Sequence, residues 1–190
     1  MKKLLLILLC LPMIGFGQLG DYYKPNGHPK AKGLKFQIKT PLGFEQMEAD
    51  RPNIVQKWIK HRNDNNKLVM FMVLVLNLPE EMRNISKAEW RQYLKYESGV
   101  DEFTENFGKM AKNAKYYVLD NYPGIYYEGF MEMDRLDQTF KLYHKTAQVF
   151  TPNHMFQIQM SVGNENLLET NEYLFNSLAN SVIILDQYSK

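Results

Sequence analysis

Nine consecutive apolar residues, Leu68–Leu76 (LVMFMVLVL), constrain this chain more than any other feature. Such a run leaves no side for water, so as a strand it lies inside a sheet covered on both faces. Periodicity alone does not separate a buried strand from a buried helical segment. Length and three valines favour the strand, and Asp64-Asn65-Asn66 before it and Asn77-Leu78-Pro79 after it act as turn signals. Crossing a bilayer takes about 20 apolar residues in a helix, so the run is no membrane span.

The flanking patterns predict the rest of a mixed fold. Leu34, Phe36 and Ile38 alternate with Lys35, Gln37 and Lys39, as in a strand with one dry face, and Thr40–Phe44 breaks it. Ile54–Arg62 resumes the pattern and, through Asp64-Asn65-Asn66, forms an antiparallel hairpin with the apolar run. After Pro79 the period changes. Ser86-Lys87-Ala88-Glu89 fits a capping box and starts a helix through Trp90, Tyr93 and Leu94, which pauses near Ser98-Gly99. A second helical piece spans Asp101–Ala111, with Phe103, Phe107 and Met110 inward. Lys115–Leu119, Gly124–Asp134, Gln138–Thr151 and His154–Val162 read as four strands, and Glu165–Ile183 as one amphipathic helix lying across the sheet. The expected class is α+β, with a central, mostly antiparallel sheet and an amphipathic C-terminal helix packed on it.

At the N-terminus a basic start (Lys2-Lys3), the apolar run Leu4–Leu11 and small residues near Gly15 and Gly17 have the layout of a secretory signal peptide, with cleavage after Gly17. Export to the periplasm or beyond is therefore expected, with no transmembrane span after cleavage. Cys10 raises a second route, a lipid-anchored form, although only a short apolar run precedes it. Cleavage after Gly17 removes Cys10, the one cysteine, and leaves neither disulfide nor thiol. It also lowers the lysine and arginine count from 23 to 21, against 21 acids. A chain so balanced lacks the basic stripe that a nucleic-acid binder needs. Residues 18–33, rich in Pro and Gly, are expected to form an extended arm that packs weakly, and 34–190 a single domain. From Lys24 to Lys39 the lysines Lys24, Lys30, Lys32, Lys35 and Lys39 occur with no acid between them. That basic arm suits an acidic partner or anionic headgroups, and equally a solvated tail.

Phe36-Gln37-Ile38 before Pro41-Leu42-Gly43-Phe44, the strand Leu68–Leu76, the turn Tyr122-Pro123-Gly124, and Phe156–Val162 followed by Tyr173–Leu178 give the chain an order of elements that resembles the PsbP-like α/β/α sandwich superfamily. That superfamily includes the photosystem II accessory protein, yeast Ran-binding Mog-type proteins and bacterial exported relatives. The resemblance spans nearly all of the chain after the signal segment. It implies a sandwich fold and an accessory or binding role, and it transfers no functional residue.

Motifs of known chemistry are missing from the sequence. His28, His61, His144 and His154 lack zinc-motif spacing, and strand register puts His144 and His154 too far apart to share an ion, so neither a metal nor another cofactor is expected. Neither a G-x-S-x-G elbow nor a phosphate loop occurs. Glu97, Asp101, Glu102 and Glu105 form an acidic patch without a calcium-loop pattern. Glu128, Glu132 and Asp134 share a strand face, but general acid–base work needs a pocket to tune one of them. Asn84-Ile85-Ser86 matches a glycosylation acceptor and is read as accidental in a bacterial chain. What stands out is an aromatic and methionine-rich meander, from which Tyr126, Tyr127, Phe130, Met131, Met133 and Tyr143 are the candidate ligand or partner surface; ordinary core would have the same composition. The function expected is that of a non-enzymatic binding or accessory protein of the bacterial envelope with a protein partner. The alternatives are a carrier of a small apolar ligand in a cavity lined by Tyr127, Met131 and Met160, and an enzyme whose site is built from dispersed residues.

Overall fold

The apolar run becomes an interior strand because each of its sides meets other apolar groups. In the computed structural model, residues 18–135 and 138–188 are described, the side chains of 133–135 and 138 excepted. The expected signal segment 1–17, with Cys10, lies outside the described residues, as does the side chain of Met133. In chain order the strands are β1 (Leu19–Tyr23), β2 (Phe36–Pro41), β3 (Glu45–Met47), β4 (Ile54–Lys60), β5 (Val69–Asn77), β6 (Lys112–Leu119), β7 (Tyr122–Arg135), β8 (Gln138–Phe150), β9 (His154–Val162) and β10 (Ile183–Ile184). The helices are α1 (Lys87–Tyr96), α2 (Gly99–Phe107), α3 (Asn166–Thr170) and α4 (Glu172–Asn180).

Seven strands form one sheet in the order β3-β4-β5-β9-β8-β7-β6, and β1, β2 and β10 form a smaller one. Every pairing among the described strands is antiparallel. The class is α+β, as the residue patterns and the family resemblance imply. β5 pairs with β4 as expected, and on its other side with β9, from Val69 opposite Val162 to Asn77 opposite His154.

One face of the large sheet carries the main core. Val69, Phe71, Val73 and Val75 alternate along β5 beside Phe156, Ile158, Met160 and Val162 of β9, all fully buried. The small sheet covers them with Phe36, Ile38 and Ile184, α4 with Phe175, Leu178 and Ala179, and α3 with Leu168. Phe36 meets Phe156 edge-on with ring centroids 5.0 Å apart. On the opposite face α1 lays Trp90 flat on Phe150, 4.1 Å between centroids and 10° between planes. Leu94, Leu78 and Ile125 complete that cluster. The cover on this side is partial: Met70, Leu74 and Leu76 of β5 are half-buried.

Several expectations are corrected. Residues 18–33 do not pack weakly: Leu19–Tyr23 pairs with β2, Ala31 is buried, and Tyr23 meets Trp58 edge-on at 6.0 Å. The physical reason is tertiary, since too few apolar residues stand there to give a local period. β3, only three residues long, forms because it pairs with β4. The C-terminal helix is not continuous. Asn171 breaks it between α3 and α4, where its side-chain amide donates to the Leu167 carbonyl at 2.9 Å. The chain leaves the helix at Asn180, so Ile183 and Ile184 pair with β2 instead. α2 ends at Phe107, and a 3-10 turn, Gly108–Met110, replaces its expected last turn.

Candidate functional site

Strand alternation divides the candidate surface. Along β7, Tyr126, Glu128 and Phe130 point to the face that carries α3 and α4, while Tyr127 and Met131 point to the α1–α2 face. Tyr126 is core, with ring centroids 5.7 Å from Tyr117 and 5.9 Å from Phe175. Burial pushes its hydroxyl pKa well above the usual tyrosine range, and the nearby carboxylates of Glu172 and Glu128 add to the shift. Tyr127 packs under α2, 5.0 Å from Phe103. Phe130 and Tyr143 are cross-strand neighbours at 6.1 Å and remain partly open. Met160 lies on the main-core face, opposite to Tyr127 and Met131, so the three do not line one cavity and that carrier arrangement is corrected.

Phe130 and Tyr143 help to line a groove of about 610 Å³ between β7, β8 and the start of the C-terminal helices. Lys141, Tyr143 and Glu165 also border a second hollow of about 940 Å³, where Leu68 and, from the other face of β8, Phe140 and Leu142 supply apolar surface. The central charge is Lys145, with a side chain only 7% exposed. A lysine reaches such a place because its stem tolerates apolar neighbours while its ammonium keeps partners. Those partners are Glu172 at 2.8 Å and Glu128 at 3.6 Å. Glu128 also accepts from the Asn113 amide at 2.5 Å. Both carboxylates are more exposed than the ammonium, at 31% for Glu128 and 45% for Glu172.

The sheet-side rim is basic. The ammoniums of Lys141, Lys112 and Lys109 lie 4.4, 5.0 and 5.3 Å from the centroid of the Phe130 ring. Glu132 pairs with two of them, Lys109 at 2.6 Å and Lys141 at 3.7 Å, and these pairs hold its carboxyl below the usual range. The helix-side rim is acidic, with Glu165 and Glu169. Sequence reasoning did not single out Lys145, Glu165, Glu169 or Glu172. A detectable signal existed for Lys145, a lysine placed between Tyr143 and Ala147 on a strand face that continues apolar to Val149.

The basic arm divides as well. Lys30 donates to the Ala49 carbonyl, Lys32 donates to Asn53 at 2.8 Å, and Lys39 lies 5.7 Å from the Tyr22 ring. Lys24 and Lys35 line a separate hollow of about 420 Å³ beside His28 and Leu185. His144 is buried. Its Nε2 meets the Met110 carbonyl at 2.9 Å and its Nδ1 has no hydrogen-bond partner among the described residues. Burial lowers its pKa, and that of His154, whose Nε2 meets the Lys32 carbonyl at 3.1 Å. In the expected acidic patch, Glu102 accepts from Tyr93 at 2.6 Å and from Ser98. Among the described residues, no three His, Cys, Asp or Glu side chains are grouped to hold a metal, and no helix is long and apolar enough to cross a membrane.

No protein-family model matches this sequence, and no curated protein matches it. Among solved structures, the chain is similar to cyanobacterial PsbP (CyanoP) from Synechocystis, at 12% identity over 86% of this chain and 91% of that one, with a TM-score of 0.45. It is similar to LpqN of Mycobacterium tuberculosis, a protein involved in cell envelope biogenesis, at 12% identity, 85% and 89% coverage and a TM-score of 0.47. A third is the Ran-binding protein Mog1p of Saccharomyces cerevisiae, at 12% identity, 88% and 96% coverage and a TM-score of 0.43. The likeness is to the PsbP/Mog1-like fold alone, and no groove residue is carried over from these proteins.

Proposed function

We propose that this chain is an exported, non-enzymatic binding protein of the bacterial envelope, holding a protein partner in the groove between β7, β8 and α3. One observation carries the reading: an open groove with the aromatic rings of Phe130 and Tyr143 in its floor and charged rims, adjoining at Lys141, Tyr143 and Glu165 a second hollow with apolar surface from Leu68 and Phe140. Recognition surfaces of proteins combine an apolar centre with a polar rim in this way. The Lys145 ammonium is held between two carboxylates, which suits a structural role in the groove floor better than that of a free nucleophile. The basic start and apolar run of residues 1–17 support export.

The test is capture of partners from the native envelope by the tagged full chain, by a Phe130→Ala/Tyr143→Ala variant, and by a Tyr22→Ala/Leu42→Ala control on a distant exposed patch. The expected result is a protein retained by the wild type and the control and lost with the groove variant, with a cooperative thermal transition showing that all three are folded. Retention that ignores the groove variant, or a small molecule eluting in place of a protein, overturns the reading. Cell fractionation with mass determination tests export, which predicts a mature form beginning at Gln18.

A further inference from the structure

The groove's two rims are opposite in sign, and among the described residues Lys112 on one and Glu165 and Glu169 on the other have no ion-pair partner. On the sheet side three ammoniums crowd around the single ring of Phe130, and Glu132 pairs with only Lys109 and Lys141. No carboxylate among the described residues lies within ion-pair distance of Lys112. On the helix side, no cation among the described residues pairs with Glu165 or Glu169. Between the rims Lys145 is held by both Glu128 and Glu172, a triad that keeps one negative charge in excess. Like charges held close together raise each other's electrostatic energy, and a counter-charge supplied from outside relieves it.

From this we infer that the occupant is a mixed-charge peptide segment of the partner. A carboxylate faces Lys112 and Lys141, an amine faces Glu165 and Glu169, and an apolar side chain enters the hollow by Leu68, Phe140 and Leu142. The inference rests on the binding reading above and narrows it. A uniformly acidic ligand meets repulsion at the helix rim, and a uniformly basic one at the lysines. An anionic lipid surface offers nothing to Glu165 and Glu169. Only a segment carrying both signs satisfies both rims.

The experiment is a two-dimensional NMR titration of the purified chain with three short peptides of equal length: an acidic block then Leu then a lysine block, an all-acidic form and an all-lysine form. The mixed peptide is expected to shift the Phe130, Tyr143 and Glu169 amides saturably and about ten-fold more tightly than either uniform peptide, weakening as salt rises from about 50 to 300 mM. Lys112→Glu/Lys141→Glu should weaken it by a similar factor. Adding Glu165→Lys/Glu169→Lys to that variant should restore binding to the mixed peptide. Equal binding by the all-acidic peptide, binding by none of the three, or binding to phosphatidylglycerol vesicles alone overturns the inference. Partner capture that needs Phe130 and Tyr143 but ignores Lys112→Glu/Lys141→Glu leaves the binding reading standing and removes this one.

Discussion

The ion triad in the groove predicts an asymmetry that can be measured without knowing any partner. The perturbations are Lys145→Met on one hand and Glu128→Gln/Glu172→Gln on the other. Removing the lysine leaves two carboxylates that are 31% and 45% exposed, which water can resolvate. Methionine fills the space of the stem, and the desolvation of an ammonium that is only 7% exposed disappears with it. These terms nearly cancel, so the expected loss is below about 1 kcal/mol. Neutralising both glutamates instead strands the ammonium where water scarcely reaches it. Breaking a buried pair in this way costs about 3–5 kcal/mol, and the open groove keeps the value near the lower end. The difference between the variants is thus about 2 kcal/mol. With a urea m-value of about 2 kcal/mol/M for a chain of this size, the midpoints should lie about 1 M apart, the glutamine double variant being the less stable. If Lys145→Met proves the more damaging of the two, the ammonium is not the strained member of the triad, and the account of the groove floor fails.

Three further expectations follow from the same coordinates. A Cβ at Gly129 would sit 2.6 Å from the backbone of Lys109 and Met110, so Gly129→Ala should cost about 2 kcal/mol and speed amide exchange at Ala111, whose N–H bonds to Gly108. Burial holds the folded-state pKa values of His144 and His154 below the ordinary value, so the unfolded chain binds more protons and stability falls as pH drops through about 6.5. Each withdraws at most about 1.4 kcal/mol per pH unit, and urea midpoints at about pH 7.5 and 5.5 should show a smaller drop for His144→Asn than for the wild type. Ser86 accepts from the Glu89 amide at 3.2 Å while Glu89 accepts from the Ser86 amide at 2.8 Å, so Ser86→Ala should cost about 1 kcal/mol in denaturant unfolding.

Local signals made most elements legible in the sequence. The apolar run, the Ser86–Glu89 capping box and the alternation of the meander each carry their own period or hydrogen-bond partners, and the structure places β5, α1 and β7–β9 where those signals stand. What was not legible depends on distant residues. Leu19–Tyr23 becomes a strand only because β2 and Trp58 lie beside it. Asn171 interrupts a helix whose apolar stripe is otherwise continuous, and its side-chain amide shares the Leu167 carbonyl with its own backbone N–H. For the groove, strand alternation puts Phe130 and Tyr126 on one face of β7 and Tyr127 and Met131 on the other. Which parts of those faces stay open is decided by α2, α3 and α4, and the period of a strand holds no information about its cover.

The pairing of β5 with β9 joins segments nearly half the chain apart, and β2 pairs with β10 over a still longer separation. Ribosomal synthesis delivers β1 to β5 well before either partner exists. Until β9 emerges, β5 has one bare hydrogen-bonding edge and an apolar surface with nothing on it, the kind of intermediate that sticks to its neighbours. The β6–β9 meander, by contrast, consists of short-range hairpins and can assemble without waiting for the rest. Loop-closure entropy predicts that the late union of the two halves is the slow step of folding. Chains cut short before His154 should therefore aggregate, whatever the quality of the core they were meant to form.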